Sequence, residues 1–94
     1  MISKSVYKVP KGKLIKISLD YNDKDKKILD LSITGDFFVY PEESIVILEK
    51  KLVNTSLNEK ILKKVINNII KENKIQFVGL DTENLVTGIM MCLK

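Results

Sequence analysis

The spacing of apolar residues changes along this chain, from every second position to the spacing of a helix, and this change limits its fold. In one early segment, Leu14–Tyr21, the apolar residues alternate with polar ones: Ile15, Ile17, Leu19 and Tyr21. A second alternating segment follows, with Leu29, Leu31 and Ile33 set between Asp30, Ser32 and Thr34. A strand buried on one face has this pattern. We therefore predict two strands, each with one apolar and one polar face.

Turn signals bound these strands. Val6–Val9 predicts a short preceding strand, closed by Pro10-Lys11-Gly12, and the polar run 22–26 predicts a hairpin tip. One apolar and one polar face are typical of an antiparallel meander covered on one side only.

The later part of the chain predicts three helices. The first runs from about Pro41 to Leu52, with Asn54 ending it in the left-handed conformation. Its apolar residues are Ile45, Val46, Ile47, Leu48 and Leu52. The second begins at a capping box, with Ser56 as N-cap and Glu59 as its reciprocal partner. Its apolar stripe is Ile61, Leu62, Val65, Ile66, Ile69 and Ile70. Asp81 or Thr82 caps the third, whose apolar residues are Leu85, Val86, Ile89, Met90 and Leu93.

Strands followed by helices, without parallel crossovers, predict an α+β fold for residues 1–94 as one small domain. It has two layers: an antiparallel β-meander of two to three strands, then three helices packed on one face. No apolar run approaches the about 20 residues of a membrane span. The single cysteine, Cys92, cannot form an internal disulfide, so we expect a cytoplasmic protein with Cys92 as a small apolar residue.

The net charge of +4 comes from lysine alone, since the chain has no arginine. Arginine supplies the bidentate contacts that specific nucleic-acid recognition favours, and the few aromatic residues form no stacking platform. Five lysines precede the first acidic residue, Asp20: Lys4, Lys8, Lys11, Lys13 and Lys16. We interpret this basic edge as solvated or as facing an acidic partner.

Residues for catalysis are scarce. Without histidine, the usual general base, the usual zinc ligand and a Ser-His-Asp triad are excluded, and the scattered glycines form no phosphate loop. Glu42 and Glu43 point in different directions on a helix, and Asp36 alone is a weak basis for acid–base chemistry. Asp23-Lys24 lies at a hairpin tip, as in lipoyl carriers, but those domains are all-β. The chain is therefore interpreted as a binding or assembly module.

The most particular run is Ile33–Glu43. Gly35 allows a backbone bend, Asp36 can hydrogen-bond the turning backbone, and Pro41 suits the first helical position. Glu42 and Glu43 then lie near the positive end of the helix. Strand alternation places Gly35, Phe37 and Val39 on the helix-covered face, and Asp36, Phe38 and Tyr40 outward, where a second subunit can cover them.

Gly35-Asp36-Phe37-Phe38 resembles the Gly-Asp-Phe-Phe signature of the accessory, C-terminal domain of lipoate–protein ligases. The segment 7–14 is similar to the opening K-x-P-x-G-K-L of archaeal two-part ligases, and 79–85 to a terminal segment of that family. Two turns depart from it, at Val53-Asn54 and at the glycine-free hairpin tip. The signature, or candidate partner-binding, residues are Lys8, Gly12, Lys13, Gly35, Asp36, Phe37, Phe38, Tyr40, Pro41 and Glu42.

The resemblance implies a fold like that of iron–sulphur scaffold proteins, without their cysteines. It also implies the accessory subunit of a bipartite ligase, with no catalytic residue and no cofactor of its own. ATP, magnesium and lipoate are expected on the catalytic large subunit, with which the chain forms a heterodimer that activates lipoate to lipoyl-adenylate. The lipoyl group then passes to lysines on carrier domains of 2-oxo acid dehydrogenases and the glycine-cleavage protein. A non-catalytic interaction adaptor of scaffold-like fold is the alternative, and a nucleic-acid binder with steep salt dependence is a third.

Overall fold

Eight helices and strands follow one another in the part of the chain that this computed structural model describes, residues 1–10 and 12–93. Lys11, in the expected turn after the first strand, lies outside the described residues. In chain order the elements are β1 (Ile2–Lys8), β2 (Leu14–Tyr21), β3 (Ile28–Gly35), β4 (Phe38–Tyr40), α1 (Ser44–Lys51), α2 (Glu59–Asn73), β5 (Gln76–Val78) and α3 (Thr82–Met90).

Strands β1, β2 and β3 form an antiparallel meander in that order. The predicted inward face of β2 is confirmed, because Ile15, Ile17, Leu19 and Tyr21 are all buried. Strand β1 is longer than the predicted Val6–Val9. Its helix-facing residues are Ser3, Ser5 and Tyr7, so the apolar alternation that marks β2 is missing from it.

The prediction that Leu29 faces the helices is wrong. Leu29 is 47% exposed, whereas its neighbour Ile28 is fully buried. Tyr21 pairs with Ile28 and Asp20 pairs with Asp30, so Leu29 is an extra residue without a partner on β2. Such a bulge shifts the alternation by one position, which is why Leu31 and Ile33 stay buried while Leu29 turns outward.

All three helices lie on the apolar face of the meander, as predicted. Helix α3 packs on β1 and β2, α1 packs on β3, and α2 packs against both helices. A side chain at Gly88 on α3 would place its Cβ 2.8 Å from the Cδ1 of Ile17, so the glycine lets α3 lie close to the sheet without displacing this side chain. The Ser5 hydroxyl donates to the Gly88 carbonyl oxygen at 2.8 Å and ties α3 to β1.

The α2 stripe is confirmed except at Ile61, which is 43% exposed. The predicted capping box is also wrong, because the cap is Asn58, whose Oδ1 accepts from the N–H groups of Lys60 and Ile61 at 3.0 and 3.2 Å. Ser56 instead forms a β-bridge with Lys27 of the hairpin. The helix starts at Glu59, directly after the Asn58 cap.

Other helix ends follow the prediction more closely. The Asp81 Oδ1 accepts from the Asn84 N–H at 2.8 Å and caps α3, and Asn54 is left-handed with φ 70°. The short sheet of β4 and β5 was not predicted from the sequence. Among the described residues, no helix combines the length and apolar character needed to cross a membrane.

Candidate partner-binding site

Three sequence signatures meet at one end of the meander, although they are far apart in the chain. The Asp36 N–H donates to the Leu14 carbonyl oxygen at 3.1 Å, which joins the Gly-Asp-Phe-Phe run to the Lys13-Leu14 segment. A Cβ placed on Gly79 would lie 3.2 Å from the Lys13 Cγ and 3.9 Å from the Phe37 Cβ. We call this region the signature corner, made of residues 12–14, 35–38 and 78–79.

Strand β3 ends at Gly35, and the chain then enters the short sheet of β4 and β5. The Gly35 φ of +157° is one that residues with a side chain rarely adopt, and a Cβ there would collide with the carbonyl oxygen of Leu14. The predicted need for glycine at the bend is therefore confirmed. The bend separates β3 from β4, so the two strands belong to different sheets.

Phe37 holds the bend against the body of the protein. Its side chain is half-buried and packs against the apolar core. Its ring meets that of Phe77 edge to face, with centroids 6.4 Å apart and planes at 72°. Aromatic pairs favour this geometry. Phe37 thus fixes the position of the neighbouring β4 and β5 strands.

An exposed apolar surface lies on the outer side of β4 and β5, and we call it the aromatic patch: Phe38, Tyr40 and Val78. These side chains are 63%, 55% and 54% exposed. Phe38 pairs directly with Val78, and Tyr40 lies two residues from Phe38 on the same strand, so all three share one face. The predicted outward direction of Phe38 and Tyr40 is confirmed, as is the inward direction of Phe37.

Val39 also points inward and is half-buried, whereas Gly35 and Asp36 are exposed. In contrast to the prediction, the Asp36 side chain makes no hydrogen bond within residues 1–10 and 12–93, whereas its backbone N–H donates to the Leu14 carbonyl oxygen. Lys13 is exposed within the signature corner, and Lys8 is exposed at the end of β1, opposite Leu14.

The prediction of Pro41 as the first residue of the first helix is wrong. The Ser44 N–H donates to the Pro41 carbonyl oxygen at 3.0 Å, which makes a separate turn of residues 41–44, and α1 begins at Ser44. Glu42 is therefore exposed in this turn, outside the first turn of the helix. The next residue, Glu43, occupies the N-cap position without a side-chain hydrogen bond.

Val78 is the patch residue that the sequence did not reveal. It belongs to the three-residue strand β5, which is too short to show an alternating pattern. Its signal was the apolar pair Phe77-Val78 before Gly79, which by itself does not distinguish a strand from a loop.

The described residues offer little catalytic chemistry. Among them, no group of three or more His, Cys, Asp or Glu side chains is placed to hold a metal ion. Cys92 is completely buried, and this burial raises the pKa of its thiol. A cleft of about 310 Å³ between α2 and α3 is lined by Glu59, Val86, Thr87, Met90 and Met91, away from the signature corner. The exposed apolar side chains that lie together in the aromatic patch make it the candidate site for a partner.

Comparisons with known proteins agree in family and fold. A sequence model of the bacterial lipoate protein ligase C-terminus matches residues 7–89. Over 92 residues the chain is 36% identical to lipoate-protein ligase A subunit 2 of Thermoplasma acidophilum, which covers 95% of this chain and 87% of that protein. It also matches a chain in the structure of an archaeal lipoylation system, a bi-partite lipoate protein ligase and its E2 lipoyl domain from the same organism. The TM-score is 0.79 at 31% identity, over 95% of this chain and 94% of the other. The protein therefore belongs to the family of lipoate–protein ligase C-terminal domains.

Proposed function

We propose that this chain is the accessory subunit of a bipartite lipoate–protein ligase, and that it is needed with a catalytic large subunit for ATP-dependent activation of lipoate to lipoyl-adenylate. One observation carries the proposal: the chain matches almost the whole of a Thermoplasma protein that is itself the second subunit of such a ligase. The lipoyl group would then pass from the adenylate to lysines of carrier domains in 2-oxo acid dehydrogenases and the glycine-cleavage protein.

The aromatic patch is the surface we assign to the large subunit. Exposed aromatic side chains that lie together are typical anchors of protein interfaces, where burial on binding gives a large share of the affinity. Phe38 and Tyr40 are both more than half exposed, and Phe37 beneath them is fixed against Phe77. The patch is thus preformed, which lowers the entropic cost of binding.

We place ATP, magnesium and lipoate on the large subunit. Two observations support this placement: no group of three or more His, Cys, Asp or Glu side chains among the described residues could hold a metal ion, and the sequence has no glycine-rich loop for phosphates. Gly79 lies at an exposed bend after β5 and Gly88 lies buried within α3, so neither belongs to such a loop. Any contribution to the reaction would therefore be made through the partner.

Binding alone can explain such a contribution. If the large subunit alone favours an open adenylation site, a partner that binds only the closed form shifts the population toward that form. A coupling of about 1–3 kcal/mol changes the affinity for substrate by roughly 5–150-fold.

A reconstitution experiment tests the proposal. The purified chain is mixed with the large subunit, and the mass of the complex and the lipoylation of a carrier domain are measured. We expect a 1:1 heterodimer and lipoylation that neither subunit supports alone. A chain that forms no complex, or that makes lipoyl-adenylate without the large subunit, would contradict the proposed role.

A further inference from the structure

The backbone groups on the outer edge of β1 have no hydrogen-bond partner among the described residues. At one end of the β1–β2 pair, the Met1 amino group donates to the Tyr21 carbonyl oxygen at 2.9 Å, and the Tyr21 N–H donates to the Met1 oxygen at 3.0 Å. At the other end, the Val9 N–H donates to the Lys13 oxygen at 3.0 Å. Hydrogen-bonded pairs alternate along antiparallel strands. The residues whose N–H and C=O groups turn away from β2 are therefore Ile2, Lys4, Val6 and Lys8.

These same residues also expose their side chains, on the face of the meander opposite the helices. Ile2 is 71% exposed and Val6 is 57% exposed. The edge therefore presents apolar and lysine side chains in alternation, next to a row of free backbone groups. No strand lies beyond β1 in the part of the chain that the structure describes.

Positive charge collects around Val6. Lys4 and Lys8 lie two residues away on the same strand, and Lys16 on the neighbouring strand β2 pairs directly with Val6. None of these three lysines forms a salt bridge among the described residues. The acidic residues of this face, Asp20 and Asp30, pair with each other at the Ile2 end of the meander.

A shallow groove of about 230 Å³ continues from this charged edge over the open face of the meander. Besides Lys4, Val6 and Lys16, small hydroxyl side chains line it, including those of Ser18, Ser32 and Thr34. The side chains of a strand added at β1 would lie beside this groove.

The opposite edge of the meander is closed, in contrast. On β3, the Ile33 N–H donates to the Glu49 Oε2 of α1 at 2.7 Å. At the other end of β3, the Ile28 N–H donates to the Thr55 carbonyl oxygen at 3.0 Å. The Ile28 carbonyl oxygen accepts from the Asn54 N–H at 2.7 Å. Only β1 offers a long edge free for pairing in the described meander.

We propose that β1 is a docking edge that accepts an extended segment of an acidic partner protein as a fourth strand, with carboxylates opposite Lys4 and Lys8. Backbone hydrogen bonds along the edge give affinity, and side-chain pairs across it give specificity. This proposal does not depend on the proposed ligase function, because it needs only the geometry and charge of β1.

The same charges disfavour a second copy of this chain as the occupant. Two β1 strands from two copies could pair antiparallel, with Lys4 of one opposite Val6 of the other. The lysines of both copies would then lie on one face as diagonal neighbours. Like charges this close together repel each other. Lysines on an edge strand discourage pairing between identical edges, whereas an acidic strand reverses the sign of the interaction.

The test uses the isotope-labelled full chain and a short synthetic peptide in which glutamate alternates with threonine. We expect the amide groups of Ile2, Lys4, Val6 and Lys8 to become protected from hydrogen exchange when the peptide is added. A peptide with lysine in place of glutamate is the control and should give no protection. Absence of protection at millimolar acidic peptide, or equal binding of both peptides, would overturn the proposal.

Two variants locate the site. Reversal of both edge charges, Lys4→Glu with Lys8→Glu, should weaken peptide binding at least about tenfold. The matched control, Lys60→Glu with Lys64→Glu on the exposed side of α2, changes the net charge equally and should bind as the unmodified chain does. Equal losses in both variants would mean non-specific attraction and would refute a site on β1.

A third variant tests the backbone groups. In Val6→Pro the missing N–H is one that faces the free edge, so the β1–β2 hydrogen bonds remain, and proline is tolerated on edge strands. We expect lost peptide binding with an unchanged spectrum of α2 and α3. A Val6→Pro chain that is folded and binds the peptide normally would show that no fourth strand forms.

Discussion

Phe37 and Phe38 are adjacent, but replacing each one singly by alanine should have different effects. One variant should lose stability, and the other should lose affinity for the large subunit. Phe37 is half-buried and Phe38 is exposed. A fully buried phenylalanine contributes about 3–5 kcal/mol on truncation, and an edge-to-face pair about 0.5–1.5 kcal/mol beyond burial. Since Phe37 retains some exposure while losing its contact with Phe77, we expect Phe37→Ala to lower the free energy of unfolding by about 2–4 kcal/mol.

Phe38→Ala should lose little stability but should weaken binding to the large subunit. The main contact that it loses within the chain is the pair with Val78, worth about 0.2–1 kcal/mol. If Phe38 anchors the large subunit, binding should weaken by about 2 kcal/mol, or roughly thirtyfold in Kd. Ile61→Ala is the matched control, because Ile61 is a large exposed apolar residue on α2, outside the patch.

Thermal melts and binding titrations measure both effects. For a chain of this size, each 1 kcal/mol shifts Tm by about 4–8 °C. Phe37→Ala should therefore melt roughly 8–30 °C lower, and Phe38→Ala within about 8 °C of the unmodified chain. A Phe38→Ala chain that binds the large subunit normally, or that binds no worse than Ile61→Ala, would refute the assignment of the patch.

Three further predictions concern single positions. Gly35→Ala should cost at least about 2 kcal/mol of stability in a chemical melt, because its φ is strained for alanine and its Cβ meets the Leu14 oxygen; a neutral result would mean that the bend relaxes freely. Asn58→Ala should cost about 1 kcal/mol, and Ser56→Ala less, because only Asn58 caps α2; the reverse order in thermal melts would contradict the cap. Cys92 should resist alkylation in the folded chain and react rapidly in denaturant, because burial raises the pKa of its thiol; fast labelling of the folded chain would show that it is accessible.

The fold was largely predictable in segments where the spacing of apolar residues alone determines which side chains are buried. The faces of β2 and the buried stripe of α2 follow directly from the spacing of their apolar residues. Strand β1 gave a weak signal because small polar residues face the helices there, and these are accommodated by contacts such as that of Ser5 with Gly88. A sequence shows no sign of such long-range contacts.

The missed features depend on contacts between distant segments. Leu29 turns outward because of a bulge in the pairing with β2, and Ser56 pairs with Lys27 while Asn58 caps α2. The outward direction of Phe38 was predicted from the alternation of β3, although Gly35 interrupts that strand. The prediction is confirmed, but for a different reason. The contact of Phe37 with Phe77 holds Phe37 inward, and the alternation did not reveal this contact.

The most direct test of the proposed function separates the two steps of lipoylation. With the large subunit held constant, lipoyl-adenylate formation and lipoyl transfer from preformed lipoyl-adenylate are each measured with and without this chain. If the chain acts in activation, its omission should slow adenylate formation at least about fivefold and affect transfer less. Equal slowing of both steps would contradict a role in activation and indicate general support of the large subunit's fold.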